Sequence, residues 1–544
     1  MRRVLLQLLF SFLLGTVGFG QVDKFKRSLS KQIDAALLDY VQPNGPGAAV
    51  GVLLNGKVVF TKGYGMADKE KIIPVTPNTA FRIASLTKQF TAIAIMMLKE
   101  KGRLSYNDPL SKFFPELPKY ADSITIRNLL THTSGIPDVL YPFNTRVDVQ
   151  LTPIDALRML KDTRQLLFKP GEKTWYSNTG YTILSLVIEK ASGQQYADFV
   201  HEKIFAPLHM IHSSLGEPLP GVSLAKGYAL TQFGWEKNPV ETSKQWFGAD
   251  GMISTVDDLL KWAEALDRNM LVRAQTLKEA FTEVTLVDGT KGFGFGWFIG
   301  KDHGLPVIEH SGVGNGYRCH IAKYPDQNST IVVLTNNAGE NNPEYPVKSI
   351  AKILLGEQMS LPKARQIDSA LQKKMAALYQ EEDGYTIDIF WENGHLMVKP
   401  FGMIKGKLEP ISATDFYSHV HNQYFRFETR ADGKKLMHDS IPGREAQLFT
   451  QIESSSFGLN GNTTFSLNGY AHAHVIALAG SFNKFFPLKT LFKKQGSEWI
   501  CHIDLSPGKY TYRFVVDGQW ILDPSNPNVE EDNTKRRNNV IVVH

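Results

Sequence analysis

Apolar residues along this 544-residue chain fall into successive regimes of different period. In the first regime, strand and helix periods alternate. "GAAVGVLLNGKVVFTKGYG" (Gly47–Gly65) alternates on either side of Asn55–Gly56, which predicts a hairpin turning on that dipeptide. "FRIASLTKQFTAIAIMMLKEKG" (Phe81–Gly102) carries an apolar stripe at helical spacing. "SITIRNLLTHTSG" predicts a short helix stopped by Gly135, and "NTGYTILSLVIEKASG" a longer one closed by Ser192–Gly193. "STVDDLLKWAEAL" begins with Thr255 and has Asp258 three residues on, a capping-box pattern. "GFGFGWFIG", "PVIEHSG", "RCHIAKYP" and "STIVVLTNN" predict consecutive strands, and "VKSIAKILLGE" a closing helix. Helices and strands near both ends predict, for residues 22–358, a mixed α/β (α+β) domain with an antiparallel sheet flanked by helices.

The pattern changes at residue 359. After "SALQKKMAALYQ", which predicts a helix, residues 359–453 read as short β segments separated by the turns "ENG" and "ADG". That predicts a small meander barrel or sandwich. A Ser/Gly/Asn-rich stretch, "SSSFGLNGN", introduces residues 454–544, where "TTFSLN", "HAHVIALAG", "WICHIDL", "KYTYRFVVDG" and "NNVIVVH" predict a β-sandwich. No internal repeat is present. The length agrees, because single cores rarely grow past about 250–300 residues.

Composition is ordinary for globular protein, with 42% hydrophobic and 21% charged residues. A net charge of +6, with the signs interspersed, gives no reason to expect a nucleic-acid partner; "KRR" at Lys535–Arg537 reads as a solvated loop. The N-terminus adds a different signal: "MRR", then "VLLQLLFSFLLGTVGF", then small residues before Gln21. Residues 1–20 are therefore expected to be a cleaved signal peptide, which places the protein in the periplasm or outside the cell without a stable membrane anchor. Cys319 and Cys501 are the only cysteines and fall in different predicted domains, so stability is expected to rest on the cores.

Candidate chemistry begins with Ser85 and Lys88, which share a face if their segment is helical. A serine alcohol becomes a nucleophile when an adjacent base takes its proton. "WYSNTGY" offers Tyr176, a base only if a cation such as Lys88 lowers its phenol, and Asn178, whose amide can hold Lys88 and a substrate carbonyl. "EHSGVGNGY" places His310-Ser311-Gly312 at the end of a predicted strand, followed by glycines that let backbone approach a ligand.

In this order, S-x-x-K, Y-x-N and H-x-G resemble the motifs of the penicillin-recognising serine hydrolases: class C β-lactamases, D-alanyl-D-alanine carboxypeptidases, D-aminopeptidases and related esterases. The likeness spans residues 26–358 and includes "LSYNDPLSKFFPELP" and "LLTHTSGIPD". It implies a β-lactamase-like fold and an ester- or amide-cleaving enzyme that needs no cofactor and acts on a small molecule or peptide. It also implies Ser85 as the acylated nucleophile, with Lys88 and Tyr176 together as proton acceptor. Asn178 would orient Lys88 and substrate, and the backbone N–H groups of Ser85 and Val313, after Gly312, would form an oxyanion hole. The sequence departs from the β-lactamase pattern at His310, where those enzymes carry lysine. A histidine is mostly neutral at pH 7, and the H-x-G form resembles the peptidase and esterase branches. In "GADGM", Asp250 reads either as a cleft carboxylate favouring an amine-bearing substrate or as a loop or cap residue.

The other candidates have plainer readings. His132 is expected to be structural, and Cys319 a buried thiol. His209 with His212, and His472 with His474, lack a third ligand, so no metal site is expected. Residues 462–544, with "VIALAGSFNKF" and "YTYRFVVDGQWILDPSNPN", resemble the glycogen-recognition carbohydrate-binding module of the AMP-activated protein kinase β-subunit. The resemblance implies an immunoglobulin-like sandwich whose sugar contacts are Trp520, Phe485, Arg513 and Asn538, and an α-glucan partner. Docking on the hydrolase or on a partner is the competing use of that module, and Trp499 is expected to be structural. The middle unit loosely resembles small lipocalin-like barrels. The whole reads as an exported serine hydrolase with a glucan-type module; the alternative is a carbohydrate-binding scaffold whose hydrolase domain is idle.

Overall fold

The computed structural model describes residues 19–543 apart from 38–39, 42, 141–150, 232–233, 239–245, 315, 339–343, 360–361, 381–385, 401–404, 419–420, 422, 441–446, 452–460, 484–489, 518 and 532–536. The chain divides into two compact units, Met1–Ala229 with Lys237–Ser360 and Leu230–Glu236 with Leu361–His544. The expected signal segment lies almost wholly outside the described residues. Among the described residues, no helix is long and apolar enough to cross a membrane.

In the first unit, α1 (Phe19–Leu37) precedes a hairpin of β1 (Ala48–Leu54) and β2 (Lys57–Tyr64). Asn55 and Gly56 both take positive φ, 51° and 68°, as a primed two-residue turn requires. The later elements are α2 (Thr87–Glu100), α3 (Ile126–Leu130), α4 (Asn178–Ser192), α5 (Val256–Asp267), β3 (Phe298–Asp302), β4 (Leu305–Gly314), β5 (Tyr317–Tyr324), β6 (Ser329–Thr335) and α6 (Glu344–Leu355). The strands form one antiparallel sheet in the order β3-β4-β5-β6-β1-β2. Ala49, Leu53, Val332 and Leu334 point into the main core with Val256 and Leu260 of α5. Val50, Val52, Ile331 and Val333, on the alternate face, are also buried, and α1 and α6 pack on β2, β5 and β6. Two covered faces explain why "STIVVLT" reads as an unbroken apolar run. Gly51 makes the close approach of α5 possible, since a Cβ there would sit 2.4 Å from Val256.

The structure differs from the sequence reading at several helix boundaries. The stripe from Phe81 to Gly102 becomes helix only at Thr87. Phe81 and Arg82 are extended instead, pairing with Ser254 and Ile253, and Ala84 is left-handed (φ 48°) at the start of a 3₁₀ turn, Ala84–Leu86. α3 ends before Gly135 because the chain already turns left-handed at His132 (φ 57°). Half of the expected capping box is present on α5: Thr255 accepts the Asp258 N–H, but the Asp258 carboxylate takes the His212 N–H and Ser213 hydroxyl instead. In "GFGFGWFIG" only Phe298 onward is strand.

The second unit holds two β structures. β7 (Ala377–Gln380), β8 (Thr386–Glu392), β9 (His395–Pro400), β10 (Gly406–Pro410), β11 (Asp415–Ser418), β12 (Gln423–Thr429), β13 (Lys435–Ser440) and β14 (Gln447–Gln451) form a closed up-and-down barrel. Its interior is filled by Tyr379, Ile389, Val398, Phe416, Phe425, Met437 and Phe449, among others. The helix expected over "SALQKKMAALYQ" is only Ser369–Lys373; its last four residues, Ala377–Gln380, are β7, which pairs with both β8 and β14. Barrel closure satisfies both edges of β7, and that outweighs the helical preference of its Ala and Leu.

The C-terminal structure contains β15 (Thr463–Asn468), β16 (Ile476–Gly480), β17 (Lys493–Gln495), β18 (Glu498–Ile503), β19 (Gly508–Val516), β20 (Gln519–Ile521), β21 (Val529–Glu531) and β22 (Arg537–Val543). One sheet runs β15-β18-β17, the other β16-β19-β22-β21 with β20 beside β19. Phe465, Trp499 and Cys501 from the first pack with Leu478, Tyr512 and Phe514 from the second. Trp499 is thus a core residue, its indole N–H donating to the Tyr470 carbonyl. Cys501 and Cys319 are both buried free thiols.

Candidate active site

The site is built where the turn before α2, the start of α4 and the end of β4 converge. Pairing of Phe81–Arg82 with Met252–Ser254 fixes the chain before the turn, and Thr87 closes it by donating its hydroxyl to the Ala84 carbonyl at 2.7 Å. Ser85 therefore sits in a 3₁₀ turn at the N-terminal end of α2, with Lys88 one turn further on. The helix's partial positive end faces the space in front of Ser85.

Lys88 is completely buried, with 0% of its surface exposed. Its Nζ lies 3.1 Å from Ser85 Oγ, 2.9 Å from Asn178 Oδ1 and 2.9 Å from the Ala249 carbonyl. Burial lowers its pKa from 10.5 to about 7, partly opposed by the charges of Asp250 and Asp138. A neutral amine has two N–H donors and one lone pair. The two carbonyl oxygens, which can only accept, take the donors, and the lone pair is left facing the Ser85 hydroxyl.

Asn178 is itself oriented. Ser177 caps α4 by accepting the Gly180 N–H. Asp138 accepts from the Asn178 backbone N–H and from Asn178 Nδ2, each at 3.0 Å, and from the Thr179 hydroxyl at 2.8 Å. With Nδ2 held by a carboxylate, Oδ1 must face Lys88.

Tyr176 hydrogen-bonds Ser85, and its ring lies 4.8 Å from Lys88 Nζ. Its phenol departs from the sequence expectation. Burial pushes its pKa up, the bond to Ser85 recovers part of the shift, and Asp250 and Asp138 push it higher still. Tyr176 is thus a proton-bearing phenol, not a phenolate. Its ring stacks on His132 at 4.5 Å, and His132 Nδ1 accepts the Ser177 N–H. His132, buried and near Lys88, is held neutral.

His310, on β4, packs on Phe298 at 4.7 Å and lies 6.1 Å from Tyr176 between ring centres. Burial and the nearby Lys88 lower its pKa to about 3, so it is neutral, and its Nδ1–H donates to the Ser311 carbonyl. Nε2 is then the acceptor nitrogen. Gly312 lies directly against the nucleophile's turn: a Cβ there would be 2.2 Å from the Ile83 carbonyl oxygen. Val313 follows with its side chain 61% exposed.

Ser85, Lys88, Tyr176, Asn178 and His310 are thus brought together, with Gly312 and Val313 on the adjoining strand. Sequence reasoning missed Asp138 and gave His132 only a structural role, although both lie in "THTSGIPD"; the signal for Asp138 was a carboxylate near a polar helix start. The candidate sugar contacts belong to the C-terminal structure. Arg513, Asn538 and Trp520 sit in one sheet there, with Arg513 Nε donating to Asn538 Oδ1 at 2.8 Å. Phe485 lies outside the described residues. Among those residues, no cluster of His, Cys, Asp and Glu has the makings of a metal site.

Known proteins match this chain over both parts. The family described as Beta-lactamase matches residues 31–352, and the family described as the glycogen recognition site of AMP-activated protein kinase matches residues 462–544. Penicillin-binding protein 4* of Bacillus subtilis (strain 168) is 30% identical over 406 residues, which is 70% of this chain and 89% of that protein. Among solved structures, the penicillin-binding protein homologue from Pyrococcus abyssi is 26% identical, with a TM-score of 0.56 over 78% of this chain and 99% of that one. D-amino acid amidase from Ochrobactrum anthropi SV3 is also 26% identical, with a TM-score of 0.53 over 61% of this chain and 99% of its own. A family match over more than half of the chain and a relative 30% identical over 70% of it show that the chain belongs to the β-lactamase family of serine hydrolases.

Proposed function

We propose that this protein hydrolyses an amide or ester of a D-amino acid carrying a free amine, through an acyl-enzyme on Ser85. The position of Lys88 carries the reading: a buried amine 3.1 Å from Ser85 Oγ whose pKa falls to about 7, so that its neutral form, with a lone pair for the Ser85 proton, is well populated at neutral pH. Ser85 attacks the carbonyl carbon as Lys88 takes its proton. The oxyanion meets the backbone N–H groups of Ser85 and Val313. Tyr176 gives its proton to the departing amine or alcohol and regains one from Lys88. Water then repeats the sequence on the acyl-enzyme.

Two observations favour an amine-bearing substrate. His310 is neutral, so it supplies no cation for the carboxylate of a β-lactam. Asp250 brings a negative charge close enough to act on both Lys88 and Tyr176. The D-amino acid amidase among the structural relatives supports the same class. A panel of D-amino-acid amides, p-nitrophenyl esters and nitrocefin tests it, with turnover highest on the D-amides. Asp250→Asn is expected to lower kcat/KM for a D-amino-acid amide about 10-fold or more, as loss of a charged partner does, while an N-acetylated counterpart changes little. Equal effects on both would remove Asp250 from recognition.

Gly312→Ala tests the oxyanion strand. Its methyl group would meet the Ile83 carbonyl and drive β4 from the turn that holds Ser85. Turnover is expected to fall about 10²–10³-fold, the cost of one oxyanion donor, with a stability loss of about 1–3 kcal/mol from overpacking. Wild-type turnover in this variant would contradict the role of Val313.

The basic and then apolar start of the chain supports export. The match at residues 462–544 supports an α-glucan contact through Trp520, Arg513 and Asn538.

A further inference from the structure

The outer face of the β16-β19-β22 sheet is not an open surface. Strand alternation sends Ile476, Leu478, Tyr512 and Phe514 into the core between the two sheets. It sends Ala477, Ala479, Arg513 and Val515 to the other side, where Trp520 pairs beside Val515. Val475 and Leu491 of the same structure pack into one cluster with Ala477, Ala479 and Val515 there. Here Ala477, Ala479 and Val515 are 0% exposed, Arg513 5% and Asn538 3%.

The barrel supplies part of the cover. Leu378 of β7 packs in the same apolar cluster as Ala477, Ala479, Val515 and Trp520. Leu378 pairs with Asp388, and Asp388 with Lys399, so the three form one row across β7, β8 and β9. The neighbours Tyr379, Ile389 and Val398 fill the barrel interior, which leaves this row facing outward. Each member finds a partner on the C-terminal structure. Asp388 bonds His474 at 3.1 Å, and Lys399 lies 3.6 Å from Asp517, on the turn before Trp520. Phe390, two residues after Asp388, packs on the His474 ring at 4.2 Å. An apolar centre flanked by an ion pair and a carboxylate–histidine hydrogen bond is the anatomy of a specific interface.

We propose that the sheet face bearing Trp520, Arg513 and Asn538 is the seat of the barrel, so that barrel and α-glucan are alternative occupants of it. The seat follows from the contacts; the competition rests also on the proposed glucan reading. α-Glucan would bind only the fraction of molecules in which the barrel has moved away, so its apparent affinity is reduced by that fraction. Binding would in turn free the barrel.

The test uses the full chain with two independent disruptions of the row, Leu378→Glu and the pair Asp388→Lys with Lys399→Glu. Fluorophosphonate labelling checks that each variant is folded. Hydroxyl-radical footprinting reads the exposure of Trp520, and retention on glycogen reads binding. Trp520 oxidation is expected to rise several-fold in both variants. Glycogen affinity is expected to rise about 10-fold, as when a state populated about one time in ten becomes the dominant one, and Trp520→Ala is expected to abolish that gain. Unchanged Trp520 exposure in both variants overturns the seat. Raised exposure with glycogen binding equal to wild type overturns the competition. Raised exposure with no glycogen binding by any form leaves the seat standing and rejects the α-glucan reading itself.

Discussion

Ser85→Ala is expected to abolish covalent labelling by a fluorophosphonate and to lower kcat/KM at least about 10⁴-fold, as loss of a nucleophile does in other serine hydrolases. The substitution deletes one oxygen, with its contacts to Lys88 and Tyr176, and leaves the turn closed: Thr87, the Phe81–Arg82 pairing and the packing of β4 hold it, and none of these uses the Ser85 hydroxyl. The thermal midpoint should therefore move little, which separates loss of chemistry from loss of structure. Two other serines stand near enough to be considered. Ser177 is 2% exposed, and its hydroxyl accepts the Gly180 N–H as the cap of α4. Ser311 precedes Gly312 on β4, and its carbonyl accepts the His310 Nδ1–H. Label retained in Ser85→Ala would mean that one of them is the nucleophile and that the Lys88 geometry has been misread. The same experiment disposes of the idle-scaffold alternative, since an idle site would not label in the wild type.

Much of this site is legible in the sequence because its polar members lie at fixed distances along regular elements. Ser85 and Lys88 are one helical turn apart, Tyr176 and Asn178 flank a helix start, and His310 ends an apolar strand. What the sequence did not show depends on contacts between distant segments. The stripe from Phe81 has a helical period throughout, yet Phe81 and Arg82 pair with a strand some 170 residues away and Ala84 turns left-handed, so Ser85 precedes the helix rather than lying within it. Ala377–Gln380 has helix-favouring residues, but only a closed barrel, invisible to local pattern, supplies both of its neighbours. Asp138 and His132 have no periodic signal; their importance appears when Asn178 and Tyr176 are seen to lean on them. Tyr176 could serve as the base only if a cation such as Lys88 lowered its phenol. The shift runs the other way: burial raises the phenol and Asp250 and Asp138 push it higher still, and burial is a property of the fold. The barrel's docking row is hidden in the same way: Leu378, Asp388 and Lys399 are ten or more residues apart and become adjacent only across strands.

The second large effect concerns Lys88 and pH. In water its amine is an ammonium until about pH 10.5, and at pH 7 only about one molecule in 10³ would hold a lone pair. Burial lowers the value to about 7 and raises that fraction to about one half. The rate of Ser85 acylation should therefore rise tenfold per pH unit up to about 7 and level off above it. Neither histidine produces this limb: His310 titrates near 3 and His132 is also held well below its ordinary value. Lys88→Met, which keeps the length and the burial but removes the base, should lower kcat/KM about 10⁴-fold and erase the limb from whatever activity remains. Asp250 supplies an independent check. Its charge raises the Lys88 pKa, so Asp250→Asn should move the limb to lower pH when an uncharged ester is the substrate. Stability follows the same proton with a sign that can be worked out. Between about 7 and 10.5 the unfolded chain holds a proton on Lys88 that the folded chain has released, so this group makes folding more favourable as pH rises through that window. A limb that persists near pH 7 in Lys88→Met would assign the base to another residue. One that disappears there, and shifts downward in Asp250→Asn, identifies the buried lysine as the group that makes Ser85 reactive at neutral pH.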